Sequence, residues 1–413
     1  MTEPIRLAVL GGSGVATPLL IEALNAAPRR PAMHVALIGR SAEKLAHVGE
    51  VCTRLAAHAD PPITVSTHTD PHEGLMGARY VLNQIRVGGY AARAFDETFP
   101  REFGIPGEET FGPGGLNNAL RTIPVTLDLC RSIEQAAPDA LLLNLTNPSS
   151  IVQYAISRYT RVQVVGICDS PVWLMGAVAA LLGVPVEELT LRYSGMHHFG
   201  WITAVRWQGR DMMPQVLEKV AALPGLPVEA EIVQAVGAIP TSYFKYYYHP
   251  DRMLAAQQGK PARAEQLMAL EARMLEEYRE GGFEGIPQSL RERGAQWYHQ
   301  IVVPVLLAHV NDSGQVMVLN VTNGTALPFL PPQAIVEVPC VVRRDGFLPL
   351  AYDGGLPPDV QAMLLTNATF EMLWAEAVVE RSYGKALRAM MLNHLVTSYD
   401  QAKAILNKIW QEA

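Results

Sequence analysis

Over the first 200 residues, short runs of apolar and β-branched residues alternate with longer stretches whose apolar positions recur every three or four residues. The runs predict strands at Ile5–Leu10, His34–Ile38, Ile63–Thr67, Tyr80–Gln84, Ala140–Leu145, Val162–Ile167 and Leu189–Tyr193. The stretches between them predict helices at Pro18–Asn25, Ala42–Ala57, Asn118–Ala136 and Val172–Leu182, with Ser41 placed to cap the second. Strand and helix in alternation point to an α/β chain with a doubly wound, Rossmann-type parallel sheet. Beyond Trp201 the pattern changes to a hairpin across Gln208-Gly209, a long helix near Ala262–Glu280 and a proline-interrupted β segment from Gln315 to Val342. From Val360 to Gln411 the period is helical. We therefore expect a dinucleotide-binding domain over residues 1–200 and a mixed α/β substrate-binding and oligomerisation domain over residues 201–413, meeting at a cleft.

Composition narrows the function classes. With 413 residues, 49% hydrophobic and 18% charged, the chain is too apolar to be mainly disordered. Lys and Arg total 33 against 40 for Asp and Glu, with no long basic run, which argues against a nucleic-acid partner. Apolar stretches such as Ile301–Val310 fall far short of the ~20 residues a membrane span requires. The opening MTEPIRLAVLGG does not read as a signal peptide, so a cytoplasmic location is expected. Cys52, Cys130, Cys168 and Cys340 are widely spaced and should be reduced thiols.

Candidate chemistry gathers at the ends of the predicted strands. Gly11-Gly12-Ser13-Gly14 follows the first strand, where glycines allow a tight turn and bring backbone N–H groups to a pyrophosphate at a helix N-terminus; a plain strand-to-helix turn would look similar, and Thr17 replaces the third glycine of the fingerprint. The acid that usually holds the adenine ribose is missing after the second strand. Arg40 and Ser41 stand there, able to hold a 2′-phosphate and so favour NADP, or to stack on adenine and cap a helix. The segments Gln84–Glu97, with Arg86 and Arg93, and Gly107–Gly115, with Glu109, concentrate glycine and charge as a site loop does; their arginines suit a bidentate grip on carboxylate or phosphate. Asn144–Pro148 and Gly166–Pro171 close two further strands, and Gly195–Trp201 follows another. Cys168 and an imidazole of the last stretch could hold a transition metal, although so wide a spacing also fits two unrelated residues. Asp169 before Ser170-Pro171 also reads as a helix cap, and the clusters Tyr243–Tyr248 and Arg293–Tyr298 as core packing.

Taken in order, GGSGVATP, QIRVGGYAARAFDE, GEETFGPGGL with ALRTIP, NLTNP, GICDSP, GMHHFGW, SYFKYYY and RGAQWY make the chain similar to glycoside hydrolase family 4, the nicotinamide- and manganese-dependent glycosidases, over residues 5 to about 345. The likeness is greatest to the 6-phospho-glucosidases. It implies a lactate/malate-dehydrogenase-like fold, NAD or NADP and Mn²⁺ or another divalent metal as cofactors, and a phosphorylated glucoside or disaccharide as substrate. It also implies that Cys168 and His198 bind the metal, that Tyr243 is the general base, and that Arg93, Glu109, Asn147 and Arg293 contact the substrate, Arg293 at its phosphate. Gly11, Gly12, Ser13, Gly14 and Arg40 fall to the nucleotide. Asp169 stands where relatives acting on α-glucosides carry a proposed general acid, whereas RVGG and EVPCVV resemble the β-specific branch. His197 stands where many relatives have Asn.

The family is an exception to the two-carboxylate scheme of glycoside hydrolysis. The resemblance implies hydride removal from C3 of the sugar, deprotonation at C2, elimination of the aglycone, water addition at C1 and return of the hydride. Activity on 6-phospho-β-glucosides is expected, with 6-phospho-α-glucosides or an ordinary lactate/malate-type dehydrogenation as the alternatives. Assembly as a homodimer or homotetramer is expected from the base rate for such enzymes.

Overall fold

Six parallel strands form the first half of the sheet: β1 (Ile5–Leu10), β2 (Met33–Ile38), β3 (Ile63–His68), β4 (Tyr80–Asn83), β5 (Leu141–Asn144) and β6 (Gln163–Gly166). Their spatial order is β3-β2-β1-β4-β5-β6. This is the doubly wound order, in which β1 and β4 feed connections that run in opposite directions and leave a crevice beyond their carboxyl ends. Leu7, Ala8, Val9, Val35, Val81 and Leu82 are wholly buried. Covered on both faces, such strands read as unbroken apolar runs, which is why the sequence locates them closely.

The computed structural model describes residues 3–352 and 354–410. In it the sheet continues past β6 in antiparallel fashion. β7 (Leu189–Met196) and β8 (Phe199–Trp207) form a hairpin, β9 (Arg210–Asp211) returns along β8, and β10 (Ile239–Pro240) lies on its outer edge. β11 (Val316–Thr322) and β12 (Ile335–Arg343) join this unit to β6, and β13 (Gly346–Pro349) pairs with β12. Gln208 and Gly209 make the β8–β9 turn, both with positive φ (49° and 78°), as a two-residue hairpin requires. The C-terminal helical pattern resolves into Pro358–Glu380, Tyr383–Leu392 and Tyr399–Ile409; Gln411 lies outside the described residues.

Two helices begin where the composition suggested loop. Gly89–Thr98 is helical and opens after Gly88, whose φ is 79°. The helix read as Asn118–Ala136 starts at Gly112. Its early glycines serve close approach: a Cβ on Gly114 would lie 2.3 Å from the carbonyl oxygens of Asp96 and Glu108. Pro113 sits in the first turn, where it removes no intrahelical bond. Helix Pro358–Glu380 packs on Gly112–Ala136 and Ser149–Tyr159, and helix Arg263–Glu280 packs on Ala42–Ala56 and Gly89–Thr98, so the second half of the chain roofs the first.

Candidate active site

The crevice between β1 and β4 is built by the first glycine loop. Gly11 takes φ of 84°, and Gly12 lies so close to β2 that a Cβ there would fall 2.8 Å from Ile38 N and Leu37 Cα. Thr17, in the place of the third glycine, is fully buried and its Oγ1 accepts from Gln84 Nε2 at 3.1 Å. Gln84 Nε2 also reaches Gly11 O at 3.3 Å, while its Oε1 accepts from the Tyr298 hydroxyl at 2.7 Å. The loop is thus tied to the end of β4 and to the second half of the chain. Ser13 and Gly14 are half-buried, and Arg40 is exposed at the end of β2. Ser41 Oγ accepts from Lys44 N at 3.2 Å, so the capping role read for it is fulfilled.

Beyond β5 and β6 lies the chemistry-bearing cluster. Met196 pairs with Phe199 across the β7–β8 hairpin, leaving His197 and His198 as its two-residue turn. His198 has φ of 62°, an uncommon conformation for a residue with a side chain, held here in a buried setting. Cys168 follows β6 by two residues and is also buried. One ligand atom from each of Cys168, His197 and His198 lies within 4.8 Å of the others, so the turn and the end of the parallel sheet converge on one point. The ring of His198 stacks on His197 and on Tyr243, in both cases with centroids 3.7 Å apart. Its Nδ1 is 3.1 Å from Thr110 Oγ1, which donates to Glu108 at 2.6 Å.

Burial sets the charge of these groups. It holds His197 down at about 3, and His198 well below the ordinary histidine value with the neighbouring His197 adding to the effect, so both imidazoles are neutral and free to donate a lone pair. Burial, then the charge of Glu337, pushes the Cys168 thiol up; Ser170 N donates to its sulfur at 3.4 Å. The half-buried Tyr243 is pushed well above 10 by burial and then by Glu108. A phenol there needs a neighbouring cation before it can accept a proton near neutral pH. The Cys168 sulfur and the neutral imidazole of His198 are a donor pair that fits a divalent transition metal.

Asp169 stands at the N-cap of helix Ser170–Leu182 and makes no side-chain cap hydrogen bond, and burial raises its carboxyl. Beneath it Glu337 of β12 is wholly buried, accepting from the Tyr193 hydroxyl at 2.7 Å and from Asn320 Nδ2 at 3.0 Å. Burial and then these partners leave Glu337 at about 8. Glu108 and Thr110 lie in the glycine-rich loop and Glu337 opens the EVPCVV segment, but the sequence alone gives none of the three an individual role. An acid inside the apolar run Ile335–Val342 is the signal that points to Glu337.

The residues assigned to substrate fall into two groups. Arg93 is held between Glu97 and Glu109, each at 2.7 Å, and Glu109 also pairs with Arg86. Two guanidinium groups and two carboxylates leave this patch close to neutral. Arg293, by contrast, has its guanidinium carbon 5.1 Å from the Trp297 ring centroid, and its buried Nε has no hydrogen-bond partner among the described residues. Asn147 is half-buried after β5, and its carbonyl accepts from Asn118 Nδ2 at 3.2 Å while the same amide reaches Glu109 O at 3.0 Å. That amide links the Arg93 patch to the end of β5. Of the aromatic cluster, Phe244 packs on Phe199 and Trp201 as core, whereas Tyr243 turns toward the histidines.

Comparison with known families settles the lineage. The family 4 glycosyl hydrolase model matches residues 7–184, and the family 4 glycosyl hydrolase C-terminal domain matches residues 193–396. The chain belongs to glycosyl hydrolase family 4. This family 4 chain is 33% identical to the "Probable 6-phospho-beta-glucosidase" of Bacillus subtilis, over 99% of its own length and 96% of the relative's. It is 30% identical to the 6-phospho-alpha-glucosidase of Leptotrichia buccalis, over 98% and 97%. Its structure matches that of the 6-phospho-beta glucosidase from Thermotoga maritima with manganese, NAD⁺ and glucose-6-phosphate, with a TM-score of 0.89 at 26% identity over 98% of this chain and 97% of that one. A lactate dehydrogenase from Eimeria maxima, at 14% identity and TM-score 0.58, shares the fold over 93% of this chain and 97% of that one.

Proposed function

We propose that this family 4 glycosidase hydrolyses the O-glycosidic bond of 6-phospho-glucosides, β-glucosides foremost, using NAD and a divalent metal. The observation that carries the reading is the convergence of Cys168, His198 and Tyr243 beyond a sheet of dinucleotide-binding order. When bound, the nucleotide supplies reversible hydride transfer at C3 of the sugar and the metal supplies Lewis-acid stabilisation of its oxygens.

The chain's own residues do the rest. Gly11, Gly12, Ser13 and Gly14 present backbone donors to the pyrophosphate, and Arg40 faces the adenosine end, where NADP remains open to it. Cys168 and His198 hold the metal. Tyr243 takes the C2 proton, and its stacking on His198 keeps the phenol in register with the metal site. Arg293 receives the 6-phosphate, supported by the unpartnered Nε that a phosphate oxygen would satisfy. Arg93, Glu109 and Asn147 hold sugar hydroxyls, the near-neutral Arg93 patch suiting a hydrogen-bonding rather than an anion-binding role.

Asp169 carries a second reading, action on 6-phospho-α-glucosides. Burial raises its carboxyl and the helix cap does not engage it, both of which suit a group that protonates a departing oxygen. We place the nucleotide on residues 1–200, and the base Tyr243 and phosphate ligand Arg293 on residues 201–413, in a cytoplasmic homodimer or homotetramer; symmetric assembly is common among such enzymes. Among the described residues no helix is long and apolar enough to cross a membrane. The test is nitrophenol release from p-nitrophenyl 6-phospho-β-glucoside and its α-anomer, with and without NAD⁺, NADP⁺ and Mn²⁺. Release that requires nucleotide and metal together, without NADH accumulating, is expected. Steady NADH formation from a small alcohol with no metal requirement would contradict it.

A further inference from the structure

Most of the titratable groups near the cluster have a place in the reading above, but His197 has none. It occupies the first position of the two-residue turn whose second position is His198, and it is 7% exposed. Its ligand atom lies within the same 4.8 Å cluster as those of Cys168 and His198. His198 Nδ1 is engaged by Thr110; the ring nitrogens of His197 have no such protein partner among the described residues.

The other side of His197 is also specific. His197 lines a small cavity of mixed character, with Ser150, Asn367, Glu371, Asn393 and His394 among its polar residues and Phe111, Leu116, Ile151 and Phe370 among its apolar ones. Asn367 Nδ2 donates to Glu371 Oε1 at 2.9 Å, while Asn393 is 1% exposed and leaves its Nδ2 unpartnered. A metal-ligating histidine needs an acceptor for its other ring N–H, usually a carboxylate, carbonyl or ordered water. Glu371, which accepts from Asn367, is the carboxylate that lines the same cavity.

We propose that His197 is a third protein ligand of the metal, so that this chain offers a Cys-His-His set, with Glu371 as a positioning residue that orients His197 through the cavity. This rests on the metal reading of Cys168 and His198. The consequence is a shift of preference. A second imidazole favours nitrogen-seeking ions such as Co²⁺ and Zn²⁺ over Mn²⁺, whose preferred donors are carboxylate, carbonyl and water oxygens.

The test uses metal alone on the chelator-treated full-length protein. Spin-echo EPR of the Mn²⁺ form counts coupled ¹⁴N nuclei, and chelator competition gives Co²⁺, Zn²⁺ and Mn²⁺ affinities for wild type, His197→Asn, Cys168→Ser and His198→Asn. Two histidine nitrogens in wild type and one in His197→Asn are expected, with Co²⁺ and Zn²⁺ affinity lowered about tenfold or more and Mn²⁺ affinity changed far less. Glu371→Gln should weaken Co²⁺ binding about tenfold while leaving the nitrogen count at two. A single nitrogen in wild type, with His197→Asn binding Co²⁺ as tightly as wild type, would overturn the third ligand. If Cys168→Ser and His198→Asn still lose metal in that case, the two-ligand site stands and only this inference fails. Unchanged metal affinity in all three variants would overturn both. Far-UV circular dichroism of each variant verifies that it has folded.

Discussion

The ring of His198 lies face to face with that of Tyr243, centroids 3.7 Å apart and planes 10° from parallel. The contact places a phenol against a metal-ligand candidate, and it gives Tyr243 a cation within reach once a metal is bound. In the metal-free protein, burial and Glu108 hold that phenol protonated. Tyr243→Phe should therefore fold and bind metal as wild type does, yet lose about a hundredfold or more in kcat, the scale of general-base catalysis. Steady-state turnover beside a metal titration checks this; near-wild-type kcat would remove Tyr243 from the chemistry.

Cys168 and its neighbours predict a proton count. The thiol is raised by burial and by Glu337, and both histidines are lowered, so the metal-free cluster at pH 7 holds one proton that must leave, on sulfur. Metal binding should release about one proton, and metal affinity should rise about tenfold per pH unit between pH 6 and 8. Calorimetry in two buffers of different ionisation enthalpy measures the release. Air oxidation should abolish binding and thiol reductant restore it, because a sulfur driven past the thiolate no longer ligates.

Strands β1, β2, β4 and β5 were legible because each is a mainly buried, mainly apolar run ended by glycine or asparagine, whereas the edge strand β3, ITVSTH, is mostly part-exposed and shows itself by its β-branched residues. So were the glycine turn, Cys168 and the histidine pair, which punctuate strand ends. The helix start at Gly112 was hidden because Gly-Pro-Gly-Gly reads as loop; the contact of Gly114 with the carbonyls of Asp96 and Glu108 is a tertiary fact that local propensity does not carry. The junction of β6 with β11, a single pair Gly166–Asn320, joins residues more than 150 positions apart and has no local signature. Glu337 was missed because its partners Tyr193 and Asn320 come from two other strands.

Glu337 gives a pH dependence of stability. Its carboxyl titrates at about 8 in the folded protein against an ordinary 4.5, chiefly through burial. Between those values the native state binds more protons than the unfolded chain, so its contribution is complete below about pH 4.5 and is lost as pH rises toward 8. In metal-free protein, Glu337→Gln should flatten the decline in urea midpoint between pH 5 and 8, an effect of order a few kcal/mol at most. Parallel curves for the two proteins would show that Glu337 is not neutral in the fold.

Arg293 and Arg93 are predicted to differ. Arg293→Ala should raise KM for a 6-phospho-glucoside about tenfold or more, with kcat less affected, since a charge-assisted pair to phosphate is lost. Arg93→Ala leaves Glu97 and Glu109 without their shared cation, so its thermal midpoint should fall as well as its activity. Equal KM effects without loss of stability would show that Arg93 also serves the phosphate.

The first glycine loop predicts a cofactor defect. Gly12→Ala would set a Cβ 2.8 Å from the backbone of β2 at Leu37 and Ile38, forcing the loop outward. NAD⁺ affinity should fall about tenfold or more and stability by about 1–3 kcal/mol. Titration of nucleotide by fluorescence, beside thermal melting, separates the two effects.

The central claim is that glycoside cleavage proceeds through loss of the C2 proton. It is tested most directly by running the reaction in D₂O and recording the C2 position of released glucose 6-phosphate by NMR. Deuterium at C2, incorporated in wild type and absent where Tyr243→Phe releases no product, is the predicted result. Product that keeps its C2 proton while nitrophenol is released at the wild-type rate would contradict the account.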